Sequence, residues 1–237
     1  MNRFRAARIC TLFLALALAA CQPEEPDGKE EPQPQVFVDL FVRYIAPQAR
    51  YKIIASFTEG DSLSVAKSVP AGGEVKFQNI VMQERRLPKD VVRYAAQVGI
   101  PYLTEHTFRL PASAGAQPLE VTLSMSPVDT FEIIGGKASL KDGMQVYLPD
   151  GALLQDERLV FLFSDEENQA QTITLPGPMQ RDTYLLAGPR LRKLSPGPHK
   201  LYLVKKLQVE RELSETQNLR ANVEFYTSTQ EFEVVAD

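Results

Sequence analysis

Apolar and polar residues alternate along most of the chain after residue 35, which is the pattern of half-buried β-strands. In VFVDLFVRY, residues 36–44, one face carries Val36, Val38, Leu40, Val42 and Tyr44. Similar alternation begins near residues 51, 63, 75 and 119, and turn sequences such as APQAR, TEGDS and VPAGGE separate these segments. The pattern predicts an all-β protein.

A second set of strands is predicted after residue 126. RLVFLFS, residues 158–164, is almost continuously apolar, as expected of a central strand that is buried on both faces. Further strands are predicted in QAQTITL, DTYLLA, HKLYLVKKLQVE and NVEFYTSTQEFEVV. Residues 88–98 are ambiguous, because Pro88 and Gly99 could bound a helix, whereas alternation through Val92, Tyr94, Ala96 and Val98 favours a strand. We predict the strand and keep the helix as the alternative.

The segment LSPGPHKLYLV, residues 194–204, resembles the corner of immunoglobulin-like and fibronectin-III-like sandwiches. In this chain, Leu194, Pro196, Gly197 and Tyr202 match that corner in residue type, although Tyr202 lies further along than the corner tyrosine of those folds. The resemblance implies two tandem immunoglobulin-like β-sandwiches, residues 36–125 and 126–237. A single larger sandwich is the alternative.

The first twenty residues have the features of a bacterial lipoprotein signal peptide. Arg3, Arg5 and Arg8 precede a short apolar stretch that ends in LAAC, with the cysteine at position 21. This ending resembles the lipobox, in which the cysteine is lipidated and becomes the first mature residue. We therefore expect residues 1–20 to be removed, Cys21 to carry the lipid, and the protein to be held on the membrane by its acyl chains.

Residues 21–35 have the composition of a disordered tether. The segment QPEEPDGKEEPQPQ holds four prolines and five acids and no apolar residue that could pack. Acidic residues directly after the lipidated cysteine resemble the surface-export signals of Bacteroidota lipoproteins. Gln22, rather than an aspartate, follows Cys21. This resembles the sequence that the enterobacterial sorting rule associates with an outer-membrane destination. We expect an outer-membrane protein, and the sequence leaves open whether it faces the periplasm or the cell exterior.

The charge of the mature chain limits its partners. It keeps 23 of the 26 lysines and arginines and all 30 acids, a net charge of −7. This charge disfavours nucleic acid, whose binding depends on neutralising phosphates. The other cysteine, Cys10, lies within the signal peptide, so the mature chain is expected to form no internal disulfide.

No catalytic, cofactor-binding or metal-binding residue is predicted. His106 and His199 lack metal-ligand spacing, and we expect both at the surface or at a sheet edge. The acidic group Asp165, Glu166, Glu167 and Asn168 is interpreted as a solvated hairpin tip, with a calcium site as the alternative.

The most unusual feature is a basic region within an acidic chain. No acid occurs between residues 183 and 209. The cations of this window are Arg190, Arg192, Lys193, Lys200, Lys205 and Lys206. They predict a patch that attracts an anionic partner, such as an acidic polysaccharide, a lipopolysaccharide phosphate or an acidic protein loop. Protection of a sheet edge by lysine is the alternative.

Together these features predict a non-enzymatic lipoprotein that acts in interaction or assembly and binds a protein or polysaccharide. A glycan-binding accessory lipoprotein is the alternative, although the chain has no tryptophan on which sugar rings could stack. Phe37 and Phe41 lie on the polar face of the first strand and point to an interface. An enzyme is the third possibility.

Overall fold

Strands make up most of residues 34–112, 118–167 and 169–236, which are the parts of the chain described by the structure, a computed structural model. The all-β fold class predicted from alternation is confirmed. The predicted signal peptide, Cys21 and nearly all of the predicted tether lie outside the described residues. Within those residues, no helix has the length and apolarity that a membrane span requires.

Within the described residues, nine strands lie before residue 125. They are β1 (Gln35–Ile45), β2 (Arg50–Gly60), β3 (Lys67–Val69), β4 (Lys76–Phe77), β5 (Ile80–Val81), β6 (Gln83–Leu87), β7 (Val91–Gly99), β8 (Glu105–Leu110) and β9 (Leu119–Ser124). The strand β7 covers the segment that is ambiguous in sequence, so the strand interpretation is confirmed and the helix is wrong.

Nine further strands follow. They are β10 (Glu132–Ile133), β11 (Lys137–Ser139), β12 (Met144–Tyr147), β13 (Glu157–Asp165), β14 (Ala170–Pro176), β15 (Thr183–Leu186), β16 (Gly197–Ser214), β17 (Gln217–Tyr226) and β18 (Gln230–Val235). The single-turn helix α1 (Gly188–Leu191) lies between β15 and β16 and has Pro189 in its first turn, where a proline costs no hydrogen bond. Two 3₁₀ turns, Ala46–Gln48 and Ile134–Gly136, also connect strands.

The largest sheet contains eleven strands. Its main path runs β11–β18–β16–β17–β1–β2–β7–β6, with β13 and β14 added beside β16 and β3 beside β2. Two smaller sheets have the orders β5–β4–β8–β9 and β10–β12–β15. The first strand therefore pairs with β2 on one side and, in parallel, with β17 on the other.

The alternation in β1 determines which side chains enter the core. Val38, Leu40, Val42 and Tyr44 are buried, while Phe37 and Phe41 lie half-buried on the opposite face. Because successive side chains of a strand point to opposite faces, this burial follows directly from the period of two in the sequence.

The smaller sheets cover the inner face of the large sheet in two places. Tyr51 of β2 contacts Phe77 of β4, with ring centroids 5.8 Å apart. Phe161 of β13 contacts Tyr184 of β15 at 6.3 Å. Two-layer packing of this kind is the arrangement of a β-sandwich, in which each sheet buries one face against the other.

The 18-residue strand β16 connects these two regions. Its first part pairs with β18 and β13, and its last part pairs with β17. The large sheet thus crosses the predicted boundary at residue 126 without a break. The division into sandwiches at residues 36–125 and 126–237 stays a prediction.

The corner before β16 differs in detail from the one that the sequence resembles. Leu194 is buried, and Gly197 has a φ of +123°, a conformation that a glycine adopts without strain. Tyr202, however, lies on the outer face of the sheet, where its ring stacks against Tyr226 at 6.3 Å. The tyrosine therefore packs on the sheet surface.

Candidate binding cleft

A cleft of about 1010 Å³ lies between the β13–β14 hairpin and residues 189–199. One side is formed by the end of the hairpin and by β14. The other side is formed by α1 and the corner that leads into β16. Its lining includes both acidic and basic side chains. The cleft therefore brings together the acids of residues 165–167 and part of the predicted basic patch.

Three of the six cations of the predicted patch line this cleft. Arg190, Arg192 and Lys193 are exposed there, and none of them forms an ion pair with a described residue. They lie close together because they are near neighbours in sequence, in α1 and in the turn that follows it. Three unpaired positive charges on one wall provide an attractive potential for an anionic group.

The other three cations have carboxylate partners elsewhere. Lys200 is exposed and lies 3.8 Å from Glu231, measured from Nζ to Oε1. The buried Lys205 forms an ion pair with Glu157, with 3.0 Å between Nζ and Oε2. Since Lys205 is almost fully enclosed, it does not contribute to a surface patch.

Lys206 belongs to a cluster on the outer face of the large sheet. Its Nζ lies 2.8 Å from Glu224, and Arg43 contacts the same carboxylate at 2.8 Å. Burial alone would raise the pKa of Glu224, but the hydrogen bonds from Lys206 and Arg43 outweigh this effect and lower the pKa below its ordinary value. The charge of Lys206 is thus largely balanced within the sheet.

The acidic group stands at the hairpin end of the cleft. Asp165, Glu166 and Glu167 line it, and Asn168 lies outside the described residues. Asp165 accepts a hydrogen bond from the main-chain N–H of Gln169 at 2.8 Å, so its carboxylate helps to close the turn. No group of three acidic, histidine or cysteine side chains within the described ranges is arranged to hold a metal ion.

The strand β14 forms the floor of the cleft along its outer edge. Gln171 donates through Nε2 to the carbonyl of Arg190 at 2.8 Å, which links the strand to α1. Arg190 in turn places Nη2 3.4 Å from the carbonyl oxygen of Thr174. The side-chain oxygen of Gln171 is buried and has no hydrogen-bond partner among the described residues.

Both histidines are buried, so the expectation of surface or edge positions is wrong. His199 lies at the inner end of the cleft, with Nδ1 3.1 Å from the carbonyl of Gly197 and its ring against Phe232. His106 is fully enclosed far from the cleft. The alternation in β8 explains its burial, because His106 shares a face with the buried Phe108 and Leu110.

A column of side chains crosses the outer face of the large sheet. The guanidinium of Arg43 lies 5.2 Å from the ring centroid of Phe41 and 5.0 Å from that of Tyr226, whose other neighbour is Tyr202. Because β17 lies between β1 and β16, Arg43 and Tyr202 approach Tyr226 from opposite sides. The Tyr226 ring is thus in contact with side chains of both neighbouring strands.

Within the described residues, β14 pairs on one side only, with β13, and the sequence did not predict this open edge. The segment QAQTITL indicates a strand, but the order of strands in the sheet decides whether its second edge is covered.

Comparison of the sequence with protein-family models finds none that matches, and comparison with curated proteins finds no significant relative.

Proposed function

We propose that this protein is a non-enzymatic lipoprotein of the outer membrane that binds an anionic partner in the cleft beside β14. A lipid on Cys21 holds the chain on the membrane, and the acidic tether carries the all-β body away from the lipid headgroups. The observation that carries the proposal is the wall formed by Arg190, Arg192 and Lys193, whose charges have no carboxylate partner among the described residues.

This wall is unusual for a chain with a mature net charge of −7. Lys200 and Lys206, by contrast, are solvent-accessible cations of the same acid-free window, and each forms an ion pair with a glutamate. The acids of the cleft stand at its hairpin end, so the three cations of the wall are adjacent to one another and have no ion-pair partner among the described residues. In a concave site, where the surrounding protein limits screening by water, such a group attracts an anion more strongly than the same charges on a flat surface.

A protein partner fits the cleft better than a glycan does. Sugar binding by stacking needs free aromatic ring faces, and the described residues that line the cleft include no phenylalanine, tyrosine or tryptophan. Arginine is, in contrast, enriched in the energetically important parts of protein interfaces, and Arg190 and Arg192 belong to the wall. We therefore propose a protein as the partner.

Charge reversal in the cleft tests the binding proposal. Arg190→Glu, Arg192→Glu and Lys193→Glu should be combined in the full chain, expressed in its own cells and treated with a cell-permeant crosslinker. We expect the wild-type protein to give a discrete adduct that the triple variant lacks, because the wall then repels an anionic group.

A matched control carries the same change of charge on other surfaces. Lys52→Glu, Lys67→Glu and Lys137→Glu alter three exposed lysines outside the cleft. This variant should keep the adduct. Equal loss in both variants would show a general effect of net charge, and an unchanged adduct in the cleft variant would contradict the proposal.

The membrane anchor is tested separately with Cys21→Ala. The wild-type chain should incorporate labelled palmitate and fractionate with outer membranes, because acyl chains supply about 0.8 kcal/mol of binding per buried CH₂. Cys21→Ala should lose both properties. Mass spectrometry that finds an unmodified thiol on the mature protein would refute the anchor.

A further inference from the structure

The strand β14 uses only one of its two edges. In the described part of the chain it pairs with β13 alone. The main-chain N–H of Asp165 donates to Gln169 at 3.3 Å and that of Gly177 donates to Glu157 at 2.8 Å, one pair at each end of the hairpin. Because bonded pairs recur at every second residue of an antiparallel ladder, the odd-numbered residues of β14 face β13.

The even-numbered residues of β14 therefore direct their main-chain groups away from the sheet. Thr172 and Thr174 are exposed and line the cleft. Within the described residues, nothing accepts a hydrogen bond from either of their main-chain N–H groups, and only Arg190 approaches the carbonyl of Thr174. At 3.4 Å this contact is long for a hydrogen bond, so it is readily exchanged for a better one.

The edge of β14 also lacks the features that usually protect a strand from pairing. Edge strands commonly carry charges, as the opposite end of the sheet does in β6, with the sequence QERRL and every residue exposed. From Ala170 to Leu175, β14 has no charged residue and no proline. Its threonines, isoleucine and leucine instead favour an extended, paired strand.

The charges around this edge differ along its length. The acids Asp165, Glu166 and Glu167 lie at the end where β14 begins, and Arg190 lies beside Thr174 in its second half. Arg192 and Lys193 continue the positive wall. A peptide strand that has acidic side chains toward one end and a basic side chain toward the other would complement both.

We propose that an extended segment of the protein partner pairs with the open edge of β14 and so adds a strand to the sheet. The main chain of the segment bonds to Thr172 and Thr174, and its acidic side chains face Arg190, Arg192 and Lys193. This inference rests on the proposed function, since it assigns a binding mode to the same cleft. Antiparallel addition is the more stable arrangement. Because β14 begins beside the acids of the hairpin, an antiparallel segment whose basic residue is at its C-terminal end meets those acids with that residue.

A synthetic peptide provides the probe. Its sequence is Glu-Val-Glu-Val-Thr-Val-Lys, which matches the seven residues of β14 in length and places its lysine beside the hairpin end. Binding to the full chain is measured by fluorescence anisotropy of a labelled peptide. In isotope-labelled protein, we expect the amide protons of Thr172 and Thr174 to become protected from hydrogen exchange when the peptide binds.

Substitutions at Thr172 separate main-chain pairing from side-chain contact. Thr172→Pro removes the outward N–H and leaves the ladder to β13 intact, whereas Thr172→Val keeps the N–H and removes the hydroxyl. We expect Thr172→Pro to weaken peptide binding about fivefold or more and Thr172→Val to stay within about twofold of wild type. Equal binding by the proline variant and the wild type would overturn the inference.

Modified peptides test the same point without altering the protein. N-methylation of the peptide residues whose N–H groups face β14 should abolish binding, while N-methylation of the alternate residues should not. This comparison decides the matter if Thr172→Pro does not fold, as judged by circular dichroism. Equal binding of both methylated peptides would overturn strand addition.

The remaining outcomes distinguish this inference from the proposed function. If the triple charge reversal abolishes the cellular adduct but Thr172→Pro keeps it, the cleft binds an anionic partner and strand addition is wrong. If heparin binding persists in Thr172→Pro while the peptide fails to bind wild type, the cleft takes a polysaccharide and the inference is again wrong. Concentration-dependent dimers that Thr172→Pro abolishes would assign the edge to a second copy of the chain and overturn the peptide partner.

Discussion

At the scale of single residues, the most consequential finding is that ionisable side chains lie in the core. His106 is fully buried, its Nδ1 lies 3.3 Å from the carbonyl of Leu123, and Nε2 has no partner in the described residues. The rings of Tyr51, Phe77 and Tyr102 surround it. Desolvation in this aromatic pocket lowers the pKa of His106 to about 4.

His106 should make the stability of the protein depend on pH. The histidine of the unfolded chain binds a proton below about pH 6.5, whereas the folded one binds it only near pH 4, so stability decreases as the pH falls through this window. The expected loss is on the order of 3 kcal/mol. Urea unfolding between neutral pH and pH 4 should show a weaker pH dependence for His106→Leu. Parallel curves for the two proteins would contradict this.

The buried pair of Lys205 and Glu157 should respond differently to single and double substitution. Glu157 also accepts a hydrogen bond from the main-chain N–H of Leu154 at 2.8 Å. Lys205→Met leaves the carboxylate of Glu157 buried without its ion-pair partner, with an expected cost of about 3–5 kcal/mol in unfolding free energy. Adding Glu157→Gln removes that charge and keeps an acceptor for Leu154, so it should recover much of the loss. A Lys205→Met variant with wild-type stability would refute this.

At the scale of elements, the period-two alternation correctly indicated most strands and their buried faces. The strand predicted near residue 63 is wrong, because Leu63 and Val65 lie in the exposed turn after β2. In β1 and β7 the predicted inward residues Val42 and Tyr94 are buried. Turns and close approaches were harder to anticipate, because they depend on which strand lies opposite. Gly143, which precedes β12, is such a position: its φ is +102°, and a Cβ there would collide with the carbonyl of Leu186.

Gly143→Ala should therefore destabilise the protein by at least about 2 kcal/mol, since it adds backbone strain and a steric collision. Gly99→Ala is the control, because the nearest atom to its Cβ would be the carbonyl oxygen of Ala49 at 3.9 Å. This control should change the unfolding free energy by less than about 0.5 kcal/mol. Similar losses of unfolding free energy for the two substitutions, measured by urea unfolding, would show that the close approach of the Leu186 carbonyl does not restrict this position.

At the scale of the whole molecule, the long strand β16 unites regions that the sequence analysis separates. It contributes to the packing around Phe161 and, further along, pairs with β17 beside β1. Residues 34–237 form one compact unit in the structure. Because β16 pairs with strands of both regions, unfolding of β16 removes hydrogen-bond partners from both.

The body should therefore unfold in one cooperative transition, with equal calorimetric and van't Hoff enthalpies. Leu40→Ala in β1 and Phe161→Ala in β13 each leave a cavity, with an expected cost of about 2–5 kcal/mol. Both should lower the same Tm. Two transitions, each shifted by only one of the variants, would instead indicate two domains that unfold independently.

The all-β class, the inward faces of the main strands and the excess of negative charge follow from the sequence alone, because they depend on residue type and on a local period of two. The pairing of β1 with β17, the burial of Lys205 with Glu157 and the position of Arg192 in a cleft, without an ion-pair partner among the described residues, are seen only in the folded chain. The same is true of the edge of β14 that stays unpaired within the described residues. These features depend on which distant segments meet, and the alternation of residues within one strand carries no information about its neighbours.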